Sequence, residues 1–430
     1  MRTTTAIGAV VLACLAGCSG SDAPGDSTGD DAATVDETST PTDTGTTPTD
    51  GTPPTDSGAS PTDTGTFADT GTPPTDTGTP DTGPLGTAGN PDGSCKAGIP
   101  AGGTPADVSK PTAVVGSGTA ASCTFAALKT AVNAGGIVTF NCGAAPVTIL
   151  VTGTLDLPTT KSTVIDGGNK VTLDGGGTVQ ILRWYSADFR KNDNRLTLQH
   201  INFVNGKTTP TKAIPKAPPP CSQGWNDGEG GALYMRDGNL TVIDAIFAGN
   251  QGAPLGPDTG GGAIYVVGSK NGALIVKSTF KNNKAANAGA FGGLFCPLEI
   301  YDSLFTGNQG IGNGANSDDP TKCSVINNGQ HEVGSGGNGG AIYSDGASVN
   351  LKVCGTAVLG NAAGTGAFGG GLFFTSNDFG GTLSIIDSTM TGNTGGYWTV
   401  VASGATKNAG TAVGTNTKSL TIVNSTLQGL

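Results

Sequence analysis

Two short motifs alternate through the C-terminal half of this 430-residue chain, and their spacing constrains the fold more than any other feature. The first motif is a Gly-Gly pair that leads into a short apolar segment, and its second glycine falls at positions 231, 262, 293, 340 and 371. Three of these intervals are 31 residues and one is 47, which indicates a structural repeat with one 16-residue insertion. The second motif is an apolar residue, two variable residues and Asn, at 247–250, 280–283, 305–308, 358–361 and 390–393.

Each repeat contains two or three short β-forming segments, such as 240–243 and 383–386, and no apolar period long enough for a crossover helix. The chain also contains 73 glycines, a frequency that opposes helix formation. Parallel strands that stack about 4.8 Å apart, one turn of chain per repeat, predict an all-β parallel β-helix, which is a solenoid. In that fold glycines supply positive φ at the corners, and an Asn side chain bonds the Asn of the next coil.

These motifs resemble the repeats of polymorphic outer-membrane proteins, whose hallmarks are Gly-Gly-Ala-Ile and Phe-x-x-Asn. The resemblance covers roughly residues 200–430, with departures at Val358 and Met390, and it implies a right-handed β-helix. An earlier segment, Ile165-Asp166-Gly167-Gly168 followed by 171–176, looks like a first coil of the pectate-lyase-like superfamily. Both resemblances indicate a fold rather than a function, because the motifs are structural.

A short helix and a disulfide are predicted before the repeats. Phe125, Leu128 and Val132 share one helical face, and Gly135-Gly136 ends the segment, so we expect an N-terminal capping helix over the open end of the solenoid. Cys123 and Cys142 bracket this region and are predicted to pair. The other cysteines of the body are Cys95, Cys221, Cys296, Cys323 and Cys354, and their pairing stays open. Because their number is odd, one thiol is left unpaired.

The N-terminus has the features of an export signal. Arg2 precedes an apolar stretch that ends in Leu15-Ala16-Gly17-Cys18. This ending resembles the lipobox of bacterial lipoproteins, which implies cleavage before Cys18 and lipid attachment to that residue. Three acyl chains would anchor the protein to a membrane, and Ser19 after the cysteine implies the outer membrane in double-membrane bacteria. The predicted location is therefore the cell envelope, surface-exposed or secreted.

A low-complexity segment follows the signal. Between Ser19 and Cys95 there are 14 acidic residues and no Lys or Arg, and Pro-Thr-Asp recurs five times. Such a composition predicts a disordered, extended linker. The chain after Cys95 carries 19 acidic and 21 basic residues and is nearly neutral, which argues against a nucleic-acid partner. We predict a signal peptide at 1–17, a lipidated linker at 18–94 and the β-helix domain at 95–430.

Two insertions, 207–229 and 309–338, contain most of the candidate site residues. Both should leave the same edge of the solenoid about 14 Å apart, and loops of this kind often carry function. The candidate ligand-binding residues for a glycan or Ca²⁺ are Trp225, Asp227, Glu229, Asp318 and Asp319. The candidate catalytic bases are Arg236, Arg195 and Lys207, with no Arg after position 236.

Two functions from different classes fit this sequence. The first is a non-enzymatic, surface-anchored lipoprotein that displays a β-helix for adhesion or polysaccharide binding. The alternative is a cell-surface polysaccharide lyase of the pectate-lyase type, which cleaves an acidic polysaccharide by β-elimination. The motifs of polygalacturonases are absent, and no clustered set of carboxylates favours hydrolysis. The sequence thus leaves open whether the protein is an enzyme.

Overall fold

The computed structural model describes residues 85–211, 227–256, 259–312, 325–326, 330–331, 336–364, 367, 369–376, 378, 380–395, 406–409 and 413–429. The signal peptide, Cys18, most of the linker and the candidate residues Trp225, Asp318 and Asp319 lie outside these ranges. The described part is mostly β-strand with few helices, which confirms the all-β class. None of its helices is long and apolar enough to cross a membrane.

Most strands belong to three parallel series, here called ladders 1, 2 and 3. Ladder 1 contains Ala113–Val115, Gly136–Phe140, Thr163–Asp174, Arg195–Val204, Asn239–Ile243, Ala273–Val276, Leu298–Tyr301, Asn350–Cys354, Thr382–Ile386 and Ser419–Val423. Ladder 2 contains Val147–Leu150, the second halves of Thr163–Asp174 and Arg195–Val204, Ile246–Ala248, Thr279–Lys281, Leu304–Thr306, Ala357–Leu359, Thr389–Thr391 and Thr426–Leu427. Since two long strands belong to both ladders, ladders 1 and 2 form one 17-stranded sheet.

Ladder 3 is a separate sheet that carries the Gly-Gly motifs. Its parallel strands are Leu155–Leu157, Leu182–Tyr185, Leu233–Arg236, Ile264–Val267, Phe291–Leu294, Ile342–Asp345, Leu372–Thr375 and Val413–Thr417. Thr406–Ala409 joins its last strand in antiparallel orientation. Two small sheets pair Lys284–Ala285 with Gln309–Gly310, parallel, and Val325–Ile326 with Gln330–His331, antiparallel.

Apolar side chains from all three ladders form one core. The strand Leu233–Arg236 places Leu233 and Met235 in that core, and the alternating residues Tyr234 and Arg236 face the other side of the sheet. In ladder 2 the aromatic rings stack from strand to strand, with centroids 4.7–4.9 Å apart, in the order Phe203, Phe247, Phe280 and Phe305. The apolar position of the second motif is therefore a core position.

The asparagine of the second motif forms a buried ladder of its own. Asn283 Nδ2 donates to Asn308 Oδ1 at 2.9 Å, and its second hydrogen bond goes to the backbone oxygen of Phe247 at 3.0 Å. The same pattern links the whole series Asn250, Asn283, Asn308, Asn361 and Asn393. The prediction that each Asn bonds the Asn of the next strand is confirmed.

The strand register differs from the spacing of the glycine pairs. Ile264 pairs with Phe291, so Ala288 and Gly289 occupy the turn that Gly261 and Gly262 occupy one strand earlier. Gly292 lies inside a strand instead, where a Cβ atom would meet the Tyr265 ring at 2.5 Å. The 31-residue interval from position 262 to position 293 therefore reflects the space that an aromatic ring needs, and not a turn.

The predicted helix and its disulfide are both present. The helix Phe125–Ala134 begins at Thr124, whose hydroxyl accepts a hydrogen bond from the Ala127 amide at 3.2 Å, and ends at Gly135 with φ +59°. Leu128 and Val132 are fully buried, and Phe125 packs against the core from a partly exposed position. Cys123 is bonded to Cys142, as predicted.

A second disulfide joins Cys95 to Cys354 across 259 residues, a pairing that the sequence left open. Among the described residues Cys296 is the free cysteine, and burial raises the pKa of its thiol to about 12. At that pKa the thiol stays protonated and unreactive at neutral pH. Cys221 and Cys323 lie outside the described ranges.

Candidate functional site

The outer side of ladder 3 carries a row of aromatic side chains. The rings of Tyr185 and Tyr234 lie 6.5 Å apart, and those of Tyr234 and Tyr265 stack at the same distance. Tyr234 and Tyr265 are buried, whereas Tyr185 is 47% exposed. The row therefore reaches solvent at the end that Tyr185 occupies.

Arg236 lies beside Tyr185 in register and presents a fixed guanidinium group there. Its Cζ atom is 5.4 Å from the centre of the Tyr185 ring and 5.9 Å from the centre of the Phe189 ring, which are cation–π distances. Its Nη1 atom donates to the backbone oxygens of Ser186 and Asp188, at 2.5 and 2.6 Å. Within the described residues, Nε and Nη2 of Arg236 donate no hydrogen bond. We call Tyr185, Phe189 and Arg236 the aromatic–arginine site.

The loop that supplies Phe189 is held by a buried carboxylate. Asp237 is fully buried and accepts hydrogen bonds from the Ser186 hydroxyl and the Lys191 amide, both at 2.8 Å, and from the Asn192 amide at 3.0 Å. The backbone oxygen of Asp237 accepts a further hydrogen bond from the Trp184 indole at 2.7 Å. The residue after Arg236 therefore positions the loop that covers Arg236.

The Phe189 ring rests on two neighbours farther along the chain. A Cβ atom at Gly268 would meet the ring at 2.3 Å, and the Phe295 ring lies edge-on at a centroid distance of 5.8 Å. The Arg190 amide also donates to the Gly268 oxygen at 2.9 Å. Phe189 is still 40% exposed, so one side of its ring faces solvent.

A second polar group lies beneath this surface. Glu229 and Tyr234 are both buried, and neither Glu229 Oε1 nor the Tyr234 hydroxyl has a hydrogen-bond partner among the described residues. Burial raises the pKa of Glu229 well above its usual range, and burial together with the nearby Glu229 charge does the same to the pKa of Tyr234. The charge of Arg236 acts on Tyr234 in the opposite direction.

Two of the predicted residues lie near enough to Tyr234 for their charges to change its pKa: Glu229 raises it and Arg236 lowers it. A third, Asp227, acts on Glu229 instead, and its charge raises the pKa of Glu229. Asp227 Oδ2 accepts from the Thr211 amide at 2.7 Å.

Arg195 and Lys207 lie elsewhere in the fold. Arg195 Nη1 donates to the Thr241 hydroxyl at 2.9 Å on the outside of ladder 1, and burial lowers the pKa of its guanidinium. Lys207 pairs through its backbone with Gln251. None of the contacts of these two residues involves the aromatic–arginine site.

Another carboxyl group with a raised pKa lies farther along ladder 3. Asp345 Oδ2 accepts from the Tyr343 hydroxyl at 2.9 Å, whereas Oδ1 has no hydrogen-bond partner in the described part of the chain. Burial raises the pKa of Asp345 to about 6. Its strand is three positions from that of Arg236, or about 14 Å. Glu229 precedes the Arg236 strand, so it too lies about three strand positions from Asp345. The paired carboxyl groups of glycosidases lie about 5–9.5 Å apart, so the separation between Glu229 and Asp345 does not fit hydrolysis.

The described residues contain one group with metal-ligand spacing, formed by Cys95, Cys354 and Asp387. Its two sulfur atoms are bonded to each other, so they are not available as thiolates. A Ca²⁺ site at the insertions stays a prediction, because Asp318 and Asp319 lie outside the described ranges.

No protein-family model matches this chain, and no curated protein or solved structure matches it either.

Tyr185, Phe189 and Asp237 were missed by the sequence reasoning. A detectable signal existed for Tyr185, because the alternation in Leu182–Tyr185 places it on the same side of the strand as Arg183. No local pattern points to Phe189 or Asp237, whose partners are more than 40 residues away in the chain.

Proposed function

We propose that this protein is a surface-anchored bacterial lipoprotein that binds an acidic polysaccharide at the aromatic–arginine site without cleaving it. In this proposal the signal and lipobox deliver the protein to the outer membrane, and Cys18 carries the lipid anchor. The linker then holds the strand-rich domain away from the membrane surface.

We further propose that the strand-rich domain is a right-handed parallel β-helix with the helix Phe125–Ala134 as its cap. The order of the strands supports this architecture. The strands Asn239–Ile243, Ile246–Ala248 and Ile264–Val267 belong to ladders 1, 2 and 3 in turn, and Ala273–Val276 returns to ladder 1. The Gly-Gly-Ala-Ile and Phe-x-x-Asn motifs support kinship with polymorphic outer-membrane repeats and the pectate-lyase-like superfamily.

The observation that carries the binding proposal is the fixed guanidinium of Arg236 between two half-exposed rings. The apolar face of a sugar ring stacks on aromatic side chains, and a uronate carboxylate pairs with two guanidinium donors. Arg236 keeps Nε and Nη2 for that purpose while Nη1 holds the group in place. Because the site is already ordered by Asp237, little conformational entropy is lost on binding.

A lyase is the second candidate, and the buried Glu229–Tyr234 pair favours it. Unpartnered buried polar atoms cost free energy and often mark functional sites. In β-elimination Arg236 would serve as the base next to the uronate that the site binds. Two features oppose a lyase: Arg236 already donates to two carbonyl oxygens, and the raised pKa of Tyr234 keeps its phenol protonated, so that no phenolate is available as a base.

Binding of the full mature chain to polygalacturonate and alginate tests the proposal, with a neutral glucan as a comparison. We expect Arg236→Gln to weaken binding to the acidic polymers about 10- to 100-fold, since hydrogen bonds to charged groups contribute about 1.5–3 kcal/mol. Arg195→Gln is the matched control and should bind as the wild type does. Equal affinity of wild type and Arg236→Gln would contradict the proposal.

The same samples distinguish the two candidate functions. An increase in ultraviolet absorbance from unsaturated products, lost in Arg236→Gln, would establish the lyase instead. Binding without such an increase supports the non-enzymatic protein.

A further inference from the structure

Residues 85–112, here called the strap, run along the outside of ladders 1 and 2 in two passes. On the first pass Leu85 and Ala88 pack against Val204, Ile246 and Ala248. The Gly89 amide then donates to the Thr279 hydroxyl, and the Asn90 amide donates to the Asp302 oxygen, both at 2.9 Å. Thr279 begins the strand Thr279–Lys281, and Asp302 directly follows the strand Leu298–Tyr301, so the first pass travels toward the C-terminal strands.

The strap turns where it is covalently attached. Cys95 is bonded to Cys354, and the Cys95 amide donates to Asp302 Oδ1 at 2.6 Å. The next residue, Lys96, contacts Asp387, which directly follows the strand Thr382–Ile386. The Lys96 amide donates to Asp387 Oδ2 at 2.9 Å, and the Lys96 ammonium lies 3.4 Å from Oδ1 of the same carboxylate.

The second pass travels back toward the N-terminal strands. Ile99 packs against the outer apolar cluster that includes Val276 and Tyr301. The backbone of Ala106 exchanges two hydrogen bonds with the Gln199 side chain, at 2.8 and 3.1 Å. The Thr112 amide donates to the Ile137 oxygen, and the chain then enters its first strand, Ala113–Val115.

We propose that the strap is a clasp that carries mechanical tension from the segment before Leu85 into the strands at Cys354. This inference rests on the proposed anchoring, which makes the linker the route by which tension reaches the domain. Tyr185, Phe189 and Arg236 all lie in the chain between the two cysteines. With the disulfide closed, tension enters at Cys354, whose strand lies three positions along ladder 1 from Asn239–Ile243, the strand that follows Arg236, and it is shared by many hydrogen bonds.

With the disulfide open, tension follows the backbone instead. It detaches the strap and then reaches Ala113–Val115, the end strand of ladder 1, which pairs with Gly136–Phe140 and with no other described strand. Strands at an end separate one after another, and the peeling front moves toward Leu182–Tyr185, which belongs to the binding site. The disulfide therefore determines whether bound polysaccharide stays bound under load.

The test applies constant force to the full mature chain, attached through its N-terminal end, with a bead coated with polygalacturonate. Cys95→Ser/Cys354→Ser removes the clasp, and Cys123→Ser/Cys142→Ser is the matched control that also removes one disulfide. We expect wild-type affinity for both variants at zero force. Under load we expect attachment lifetimes about tenfold shorter for the first variant, which corresponds to a barrier lower by about 1.4 kcal/mol, and wild-type lifetimes for the control. Equal lifetimes for all three proteins would overturn the proposal.

Pulling the same chains between their two ends tests the clasp without any ligand. The closed disulfide withholds the residues between Cys95 and Cys354, so the wild type should extend about 900 Å less than the Cys95→Ser/Cys354→Ser variant. That variant should also open at lower force, and equal opening forces would overturn the clasp. If no protein attaches to the bead at zero force while this difference is present, the proposed binding function fails and the clasp stands.

If Cys95→Ser/Cys354→Ser does not fold, the Cys123→Ser/Cys142→Ser variant treated with reductant after folding provides the same comparison. In that protein Cys95–Cys354 is the disulfide that remains among the described cysteines. Lifetimes and opening forces unchanged by reductant would again overturn the proposal.

Discussion

Gly268 lies so close to the Phe189 ring that a Cβ atom at position 268 would meet a ring carbon at 2.3 Å. The loop that closes the aromatic–arginine site thus depends on the absence of a side chain almost 80 residues farther along the sequence. The contact also explains how a half-exposed phenylalanine keeps a fixed place beside Arg236.

Gly268→Ala should displace the Phe189 ring and weaken binding to polygalacturonate. Gly268 has φ +66°, so alanine there should also cost about 1–2 kcal/mol of unfolding free energy. The control is Gly360→Ala, because Gly360 has φ +61° and open space around its Cβ position. Urea unfolding should show a similar loss for both variants, and titration should show lost affinity for Gly268→Ala alone. If both variants bind equally well, the ring does not take part in binding.

Asp237→Asn should loosen the loop that carries Phe189. The amide has one acceptor oxygen in place of two, and hydrogen bonds to charged groups contribute about 1.5–3 kcal/mol each. We expect faster amide exchange at Lys191 and Asn192 and weaker polysaccharide binding. Asp378→Asn is the control, since Asp378 organises a separate turn through Ser348 and Ser376. Unchanged exchange at both amides in Asp237→Asn would show that the carboxylate does not hold the loop.

Asn308→Ala should destabilise the domain strongly because Asn308 lies in the middle of the buried asparagine series. The substitution removes four hydrogen bonds and leaves the backbone amide of Asn283 without an acceptor. An unsatisfied buried group costs about 1–3 kcal/mol, so we expect a loss of about 3 kcal/mol or more in unfolding free energy. Asn141→Ala, at an exposed position, should change it by less than about 0.5 kcal/mol. A loss below 1 kcal/mol for Asn308→Ala would contradict this account.

Asp345 should make the domain less stable as the pH rises from about 4 to about 6. Its pKa is raised to about 6 by burial, so between pH 4 and 6 the folded state binds more protons than the unfolded state. The stability that protonated Asp345 contributes is complete below pH 4 and is lost as the pH passes through 6. When the pH is raised from 4 to 7.5, the unfolding free energy of Asp345→Asn should therefore increase by about 2–3 kcal/mol relative to that of the wild type. Urea unfolding at the two pH values measures this gain, and an identical wild-type-to-variant difference at both would exclude the effect.

Local patterns carried a large part of the fold. The Asn and Phe positions of the second motif recur along the chain, and each position has the same role at every repeat. The ring enters the core, and the Asn side-chain amide donates a hydrogen bond to the next Asn of the series. The helix Phe125–Ala134 and the Cys123–Cys142 bridge were predictable for the same reason. Their partners are less than 20 residues apart, so composition and spacing are sufficient.

The glycine pairs show that a sequence motif alone does not determine why a glycine is required. Gly292-Gly293 has the sequence of a turn, but it lies in a strand because the Tyr265 ring needs the space above Gly292. One-dimensional spacing does not distinguish a glycine needed for positive φ from one needed for close approach.

The sequence by itself determined the parallel β-strands, the asparagine series, the helix and the short disulfide, because each depends on residues close together or on a repeated position. Only the tertiary structure decided that Cys95 pairs with Cys354, that the strap lies across the strands, and that Tyr185, Phe189 and Arg236 meet. These contacts join residues up to 259 positions apart. Stacking brings such residues together, and the lengths of the intervening loops, which follow no repeat, decide which of them come into contact.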